Sequence, residues 1–398
     1  MQKRNLIVLV LLCLCRLLPA QEVPAALQPY ASSIARQYGY SPVAGSALWS
    51  TKSGEAYAQR LLQDIEEARY SIALEYYWFS NETAGRVFRD ALIQKAQEGV
   101  QVRVLMDNLI CPTAPEAYYD KLRKAGAQVR YQHEFSSMCT GKAIASIFGY
   151  RDHRKIAVID GRIAYTGGIN LCDHAIYQWQ DTQIRLEGPA AAQLSALFEA
   201  AWAQNGGSQP EDPSPAPAPA GKAITQVIGS NGDITMEEAF VWAIQRAERY
   251  FYIQTPYMAP TPGVLEAIKA CAQRGVDLRI LVPERCDWEF MNVLTKDYFP
   301  ELLEAGVRIF VYSQGYDHTK LFVSDNSLAC CGTVNLDYRS LVTNWEDAVL
   351  FYDSDSVLHF KSLFLDIAAQ STEVQQAQTA KGLKKAYRKL LRSLAPQF

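Results

Sequence analysis

The chain has 398 residues, which is longer than one hydrophobic core usually serves, so we expect two domains of ordinary size. Hydrophobic residues make up 49% of it and charged residues 20%, a balance that excludes an intrinsically disordered protein. The formal net charge is -3, or -6 without the three cations of the first 20 residues, and this acidic balance argues against nucleic acid as the main partner.

Residues 1–20 have the pattern of an export signal. A basic start precedes an unbroken apolar run from Leu6 to Cys15, and the segment closes on Leu18-Pro19-Ala20. An apolar run of this length is too short to span a bilayer, which takes about 20 residues. The segment predicts a cleaved signal peptide, with a short membrane anchor as the alternative, and hence an exported or cell-envelope protein, on the periplasmic side if bacterial. Residues 21–50 show no strong period and are predicted to be an N-terminal leader.

Residues 51–205 alternate between helical and strand-like patterns. In chain order we expect a helix over Ala56–Ala68, a strand over Tyr70–Phe79, a helix over Val87–Gln97, a strand over Val100–Met106 and a helix over Ala117–Ala125. Strands alternating with helices of this length predict an α/β domain built on a mixed or parallel sheet.

A proline-rich linker separates this domain from a second one of the same design. Residues 206–221 hold five prolines, which keep such a segment extended. Residues 222–373 then repeat the earlier order, with Tyr250–Pro256 matching the first strand and Leu278–Val282 matching the second. The sequence therefore predicts a duplicated domain.

Residues 374–398 end in a basic stretch without an acid from Lys381 onward. Its leucines recur at helical spacing, so we predict a basic amphipathic C-terminal helix. Such a helix either contacts anionic lipid or docks on the core with its basic face in solvent.

The strongest feature of the sequence is a motif that occurs twice. Six residues of the first copy recur 165 positions later without a gap, five of them unchanged and Asp181 replaced by Glu346. The pairs are His153 and His318, Lys155 and Lys320, Asp160 and Asp325, Gly167 and Gly332, Asn170 and Asn335, and Asp181 and Glu346.

The residue types of this motif point to phosphate chemistry. His153 and Lys155 are two positions apart, so on a strand they project from one face, and a pseudo-twofold duplication brings the equivalent pair opposite them. One neutral imidazole can attack phosphorus to form a phosphohistidine while the other protonates the leaving oxygen. The two lysines, with Asn170 and Asn335, are predicted to bind the nonbridging oxygens, so no metal or other cofactor is required.

A nucleophilic imidazole needs an acceptor for its other ring nitrogen. Asp181 and Glu346 each follow their own histidine by 28 residues, so we expect each half to carry its own imidazole, cation and orienting acid. Asp160 and Asp325 complete the motif and are the competing candidates, although their places at strand ends beside turns favour a structural role.

The remaining histidines and the cysteines carry no catalytic prediction. His133, His174 and His359 have no counterpart in the opposite copy and are expected to be surface or packing residues. The nine cysteines are scattered and lack a paired C-x-x-C spacing, which argues against a disulfide framework or a zinc site.

At these residues the chain resembles the phospholipase D superfamily, whose signature is a pair of H-x-K-x4-D motifs, each followed by glycine and asparagine. Within it the likeness is to bacterial cardiolipin synthases. The segments that carry it are Arg151 to Gly161, Gly167 to Asn170, Trp179 to Asp181, Gly332 to Ser340 and Asn344 to Glu346. The resemblance implies two α/β domains of phospholipase D type, packed as a pseudo-twofold dimer with the active site at their interface.

The resemblance also implies a reaction. Two phosphatidylglycerols would give cardiolipin and glycerol through a phosphatidylhistidine, with His153 as the nucleophile and His318 as the acid and base. The expected partners are an anionic phospholipid substrate and a membrane surface, and the oligomeric state stays open because both half-sites are in one chain. The alternatives are a secreted phospholipase D that produces phosphatidic acid, a phosphodiesterase acting on nucleic acid, and a lipid-binding protein without activity.

Overall fold

A computed structural model describes residues 22–107, 116–132, 150–208, 217–377 and 382–397. The predicted signal peptide, Cys111, Cys139, His133 and the linker residues 209–216 lie outside these ranges. Among the described residues, none of the helices is both long and apolar enough to cross a membrane.

The first half contains the strands β1 (Val43–Ser53), β2 (Ser71–Tyr76), β3 (Gln101–Asp107), β4 (Gln128–Gln132), β5 (Lys155–Ile159), β6 (Ile163–Gly167) and β7 (Gln180–Glu187). Its helices are α1 (Gln28–Tyr38), α2 (Gly54–Glu67), α3 (Thr83–Gln97), α4 (Glu116–Lys124), α5 (Asp173–Tyr177) and α6 (Pro189–Gln204), with a short 3₁₀ turn at Ala25–Leu27. The predicted elements of this half are all present.

The second half contains the strands β8 (Ala223–Gly229), β9 (Tyr250–Gln254), β10 (Met258–Ala259), β11 (Asp277–Pro283), β12 (Arg308–Tyr312), β13 (Leu321–Ser324), β14 (Leu328–Gly332), β15 (Leu336–Asp337), β16 (Asp347–Phe351) and β17 (Thr372–Glu373). Its helices are α7 (Glu237–Arg246), α8 (Pro262–Gln273), α9 (Glu289–Asp297), α10 (Phe299–Glu304), α11 (Ser354–Ala368) and α12 (Gly382–Leu394). A π-helical turn covers Arg339–Thr343, and a 3₁₀ turn follows at Ala395–Gln397.

One continuous sheet runs through both halves. From its centre outward the first half reads β1-β7-β6-β5-β2-β3-β4, and the second reads β8-β16-β14-β13-β9-β11-β12 with β17 at the edge. β1 and β8 pair antiparallel at the centre, where Val43 lies opposite Thr225. The sheet is mixed, since β2, β3 and β4 are parallel while β5, β6 and β7 are antiparallel. The predicted α/β fold with a duplicated domain is confirmed.

The segment that was predicted to be a leader differs from that prediction. Residues 28–38 form α1, and β1 begins at Val43, so the expected boundary between residues 50 and 51 falls inside a strand. β1 holds the place in the first half that β8 holds in the second. Its sequence contains a glycine, three serines and a lysine but few β-branched residues, and most of its side chains are only half-buried. It therefore lacks the sequence pattern of a core strand.

Three hydrophobic clusters form the interior. One lies within the first half, one combines the second half with α1 and the residues just before it, and a third contains side chains from both halves. In this third cluster Leu197 and Trp202 of α6 and Phe360 and Phe364 of α11 pack on one face of the sheet. Each such side chain stabilises the fold by roughly 1.5 to 3 kcal/mol, so the shared cluster fixes the two halves relative to each other.

Candidate active site

Each histidine-bearing segment runs beside the acid-bearing segment of the other half. The amide of His153 donates to the carbonyl of Trp345 (2.9 Å), and the amide of Trp345 donates to the carbonyl of Arg151 (2.8 Å). The equivalent contact in the other half joins the amide of His318 to the carbonyl of Gln180 at 2.7 Å. These backbone hydrogen bonds join the two halves. They place Glu346, which follows Trp345, against His153, and Asp181, which follows Gln180, against His318.

As a result the two acids are exchanged between the halves. His153 Nδ1 lies 2.9 and 3.0 Å from the two carboxylate oxygens of Glu346, and His318 Nδ1 lies 2.6 Å from Asp181 Oδ2. The prediction that each acid serves the histidine of its own copy is therefore wrong. The exchange follows from the pseudo-twofold docking, in which each half lays its acid across the junction.

Both carboxylates are buried, and Glu346 is also held by hydrogen bonds within its own half. Glu346 accepts hydrogen bonds from the Thr333 hydroxyl (2.5 Å) and the Asn344 amide (3.3 Å). On the other side, a Cβ atom at Gly168 would lie 2.0 Å from Asp181 Oδ2. Glycine at position 168 is therefore needed for this carboxylate to reach the opposite imidazole.

Burial lowers the pKa of both imidazoles. The pKa of His153 falls to about 4, because desolvation outweighs the attraction of Glu346. The pKa of His318 is lowered well below its usual value, first by burial and then by the charge of Lys320. A neutral imidazole that donates from Nδ1 to a carboxylate keeps its lone pair on Nε2, so each ring can present a nucleophilic nitrogen.

The two acids differ in charge state. Burial raises the pKa of Glu346, but the charge and hydrogen bond of His153 lower it further, and the net shift is downward. Burial raises the pKa of Asp181 to about 7 despite the opposing charges of Lys320 and Lys155. At neutral pH, His153 thus has a fully ionised partner, whereas the partner of His318 is partly protonated.

The two lysines are buried directly behind the histidines. Lys155 Nζ donates to the carbonyl of His153 (2.6 Å), and Lys320 Nζ donates to the carbonyl of His318. Lys320 Nζ also lies 3.8 Å from Asp181. Burial lowers the pKa of both ammonium groups, that of Lys155 to about 7. An anion entering the site would favour their charged forms.

Both imidazoles open onto one cavity of about 320 Å³. Asn170 and Asn335 line it as well. Asn170 Oδ1 accepts from the backbone amide of Trp78 (3.2 Å), and Asn335 Oδ1 is buried without a hydrogen-bond partner among the described residues. The structure thus brings together eight of the ten predicted site residues, in or directly behind the wall of this cavity.

Asp160 and Asp325 are not part of the site. They follow the far ends of β5 and β13, roughly 20 Å along the strand from the histidines. The carboxylate of Asp160 accepts hydrogen bonds from the backbone amides of residues 69–71, and that of Asp325 from those of residues 248–250. Both residues have positive φ angles, 50° and 53°. Their inclusion among the catalytic residues is corrected here: they hold the turn at the end of the strand.

Several residues of the cavity wall were not among the predicted site residues, although some of them lie in the segments that carry the family resemblance. These are Tyr77, Trp78, Arg151, Trp179, Tyr257, Asp287, Trp288, Phe290, Met291, Asp337, Arg339 and Asn344. At the 165-residue offset, Arg151 falls on Tyr316 and Trp179 on Asn344. A search for residues shared by the two copies passes over such pairs. A search for positions that differ between the two copies but adjoin residues identical in both would have found them.

One group of possible metal ligands lies beside the site. Among the residues with described positions, Glu82, Cys172 and His174 place one ligand atom each within 4.8 Å of one another. Burial raises the pKa of the Cys172 thiol to about 12, which opposes the thiolate that a metal requires. His174 packs between the rings of Trp78 and Trp179, at 4.7 and 4.3 Å, so it fills space as expected.

The family match and the curated proteins similar to this chain point to the same family, the cardiolipin synthases. The chain matches the family described as cardiolipin synthase, PLD-like domain, over residues 61–202 and 240–368. It is 36% identical over 308 residues to the major cardiolipin synthase ClsA of Bacillus subtilis, a match that covers 74% of this chain and 63% of that protein. It is 33% identical over 357 residues to a cardiolipin synthase of a Geobacillus species, covering 86% of this chain and 70% of the relative.

A solved structure shares the whole architecture. The phosphatidylserine synthase of Haemophilus influenzae superposes with a TM-score of 0.68 over 92% of this chain and 97% of its own, at 14% sequence identity. At this identity the likeness concerns the fold alone. The superposition covers nearly all of both chains, so the two proteins share a fold over their whole length.

Proposed function

The chain belongs to the phospholipase D-like family of the cardiolipin synthases, and we propose that it is a phosphatidyltransferase that condenses two phosphatidylglycerols into cardiolipin and glycerol. One observation carries this proposal: two imidazoles, each held at Nδ1 by an acid of the other half, open onto the same cavity. Two ring nitrogens on opposite sides of one phosphorus atom are what a double displacement needs.

The first step transfers the phosphatidyl group to the enzyme. The Nε2 atom of His153 attacks phosphorus and forms an N–P bond, while the bond from phosphorus to the glycerol oxygen breaks. His318 in its protonated form gives its Nε2 proton to that oxygen, and glycerol leaves. The negative charge of the incoming phosphodiester favours protonation of an imidazole beside it, against the effect of burial.

The second step releases the product. A hydroxyl of a second phosphatidylglycerol gives its proton to His318 and attacks phosphorus, and the bond to His153 Nε2 breaks. Lys155, Lys320, Asn170 and Asn335 stabilise the charge on the nonbridging oxygens in both steps. If water takes the place of the alcohol, the same step yields phosphatidic acid.

We assign the nucleophile to His153 because its acid partner stays ionised, whereas the acid partner of His318 is partly protonated at neutral pH. The net pKa shift of Glu346 is downward, so this carboxylate is ionised and stabilises the cationic phosphoimidazole. Asp287, on the other side of the cavity, favours the protonated form of His318. This difference supports His318 as the acid and base.

The test uses the purified full chain with phosphatidylglycerol vesicles and mass spectrometry of the lipids. We expect cardiolipin and glycerol from the unaltered chain, and no turnover from His153→Ala or His318→Ala. With a donor whose leaving group needs no acid, such as phosphatidyl-p-nitrophenol, a phosphatidyl adduct should accumulate on His153 in the His318→Ala chain, because the second step then lacks its base. Cardiolipin formation that survives His153→Ala would contradict the scheme, and a large excess of phosphatidic acid would identify a hydrolase.

We further propose that the protein acts on the outer side of a cell membrane and contacts the lipid surface through α12. The pattern of residues 1–20 supports export. The exposed side chains of Tyr387, Leu390 and Leu394 on α12 support lipid contact. Arg388 and Arg392 are engaged in ion pairs with Asp297 and Glu301, so they attach the helix to the body.

A further inference from the structure

The two sides of the cavity differ in charge although the catalytic residues are symmetric. Beside His153 the wall carries Arg151 and Arg339. At the position equivalent to Arg151, the second copy has Tyr316, and near it the wall carries Asp287. The wall near His318 therefore carries an exposed carboxylate beside two tyrosine hydroxyls, whereas the wall near His153 carries two guanidinium groups and one buried acid, Asp337, next to Arg339.

Asp287 belongs to a compact cluster with two tyrosines. The hydroxyl of Tyr316 donates to Asp287 Oδ1 (3.0 Å), and the hydroxyl of Tyr257 donates to the same oxygen. The rings of Tyr316 and Tyr257 stand 5.5 and 6.1 Å from the His318 ring, measured between centroids. The cluster is thus packed against the imidazole that we assign as acid and base.

The second carboxylate oxygen of Asp287 has a different environment. Both tyrosines bind Oδ1, and no described residue donates a hydrogen bond to Oδ2. Asp287 is exposed and lines the cavity, so Oδ2 is accessible to a ligand there. The alcohol that leaves in the first step, and the one that enters in the second, must both pass on the His318 side, because displacement at phosphorus places them opposite His153.

We infer that Asp287, positioned by Tyr257 and Tyr316, binds the polar end of this alcohol. The ligand class is a small alcohol with a second hydrogen-bond donor close to its reacting hydroxyl, such as the glycerol head group. Oδ2 accepts a hydrogen bond from the neighbouring hydroxyl while the reacting hydroxyl gives its proton to His318. An ammonium group in the same place, as in ethanolamine, has the same donor chemistry with a charge added. The inference rests on the proposed function, since it assigns the alcohol subsite of that reaction.

The experiment compares, for each variant, the transfer of the phosphatidyl group to three different alcohols. The full chain, with phosphatidylglycerol vesicles as the donor, receives ¹³C-labelled glycerol, ethanolamine or 1-propanol, and the new phospholipids, including labelled phosphatidylglycerol, are quantified by mass spectrometry. 1-Propanol has the reacting hydroxyl but lacks the second donor. We expect Asp287→Ala to reduce transfer to glycerol by about 10- to 100-fold relative to transfer to 1-propanol, the loss of one hydrogen bond to a charged group.

Asp287→Asn separates the two head groups. Its amide oxygen keeps the bonds from the tyrosines and its NH₂ can donate to a glycerol hydroxyl but repels an ammonium group, so we expect a larger loss with ethanolamine than with glycerol. Tyr316→Phe should reduce the preference for glycerol less than Asp287→Ala does, because Tyr257 still holds the carboxylate. Glu304→Gln, which alters an exposed acid of α10 outside the cavity, is the matched control and should leave every ratio unchanged.

The outcomes distinguish this inference from the proposed function. If Asp287→Ala lowers transfer to glycerol and 1-propanol by the same factor, Asp287 only holds the loop and the subsite assignment is wrong. If the unaltered chain forms no new phospholipid with any alcohol and no cardiolipin, the proposed phosphatidyltransferase activity fails, and the subsite with it.

Discussion

Each imidazole of the site depends on a carboxylate from the other half of the chain. His153 Nδ1 is 2.9 Å from Glu346, and His318 Nδ1 is 2.6 Å from Asp181. Neither half alone holds a histidine with its acid. This distinguishes the site from a pair of independent half-sites, because a change in one half alters the imidazole of the other.

Glu346→Gln tests the exchange. The amide keeps the size of the side chain but removes the charge that orients and supports His153, so we expect kcat to fall by about 10²- to 10⁴-fold. In protein labelled with ¹⁵N-histidine, the ring nitrogen signals of His153 should shift while those of His318 stay in place. Asp160→Asn, in the turn outside the cavity, is the control and should leave both sets of ring signals and kcat unchanged. A response of His318 to Glu346→Gln would mean that each acid serves its own half.

The pH dependence follows from two groups whose pKa values are both lowered by burial. His153, with a pKa of about 4, is neutral and nucleophilic above that value, and Lys155, with a pKa of about 7, is cationic below it. Since kcat/KM reports the free enzyme, it should be bell-shaped with limbs near these two values. Lys155→Met should abolish or displace the upper limb. An upper limb that stays near neutral pH in Lys155→Met would have to be assigned to another group, such as Asp181.

At the scale of elements, helix α9 links the cavity to the C-terminal helix. It begins directly after Trp288, which lies at the cavity and is 57% exposed, and it ends at Asp297, which binds Arg388 and Arg392 of α12. Leu391 is buried, whereas Leu390 is exposed. The helix therefore docks on the body through two of its basic side chains, which the prediction placed in solvent, and presents an apolar strip to its surroundings.

Removal of that strip tests the lipid contact. We expect the double substitution Tyr387→Ser and Leu390→Ser to weaken binding to phosphatidylglycerol vesicles by about 10-fold or more, from the apolar area no longer buried in lipid. Cosedimentation with vesicles measures this. Leu358→Ser, which alters a leucine of α11 that is 44% exposed, serves as the matched control. Equal binding by the double variant and the unaltered chain would remove α12 from the proposed membrane contact.

At the scale of the whole molecule, the two halves are parts of one cooperative body. A continuous sheet crosses the β1–β8 junction, and a hydrophobic cluster draws on both halves. Leu197 of the first half packs so closely on β8 of the second that a Cβ at Gly229 would lie 2.6 Å from it. The halves therefore cannot separate without exposing shared core.

Calorimetry tests this cooperativity. We expect a single unfolding transition, and Leu197→Ala should lower the free energy of unfolding by about 2 to 5 kcal/mol. Leu122→Ala, which alters a fully buried leucine of the cluster confined to the first half, should move the same single transition. Two transitions, of which Leu122→Ala moves only one, would show that the halves unfold independently.

Much of the molecule could be predicted from the sequence. The alternation of helices and strands, the duplication and the histidine, lysine and asparagine pairs follow from periodicity and from identical residues at one fixed offset. β1 escaped prediction because its residues lack the pattern of a buried strand, although it lies at the centre of the sheet. Asp287 was not predicted because the first copy has a leucine, Leu122, at the position 165 residues before it.

By itself the sequence determined that this protein has two copies of a phosphate-handling motif, since repetition is visible in one dimension. Only the tertiary structure decided which acid serves which histidine. An acid could serve the histidine of its own copy or that of the other copy, and both pairings have the same residues at the same spacing. The sequence pattern therefore cannot distinguish them. The choice is made where the halves dock, because backbone hydrogen bonds across the junction lay Glu346 against His153 and Asp181 against His318.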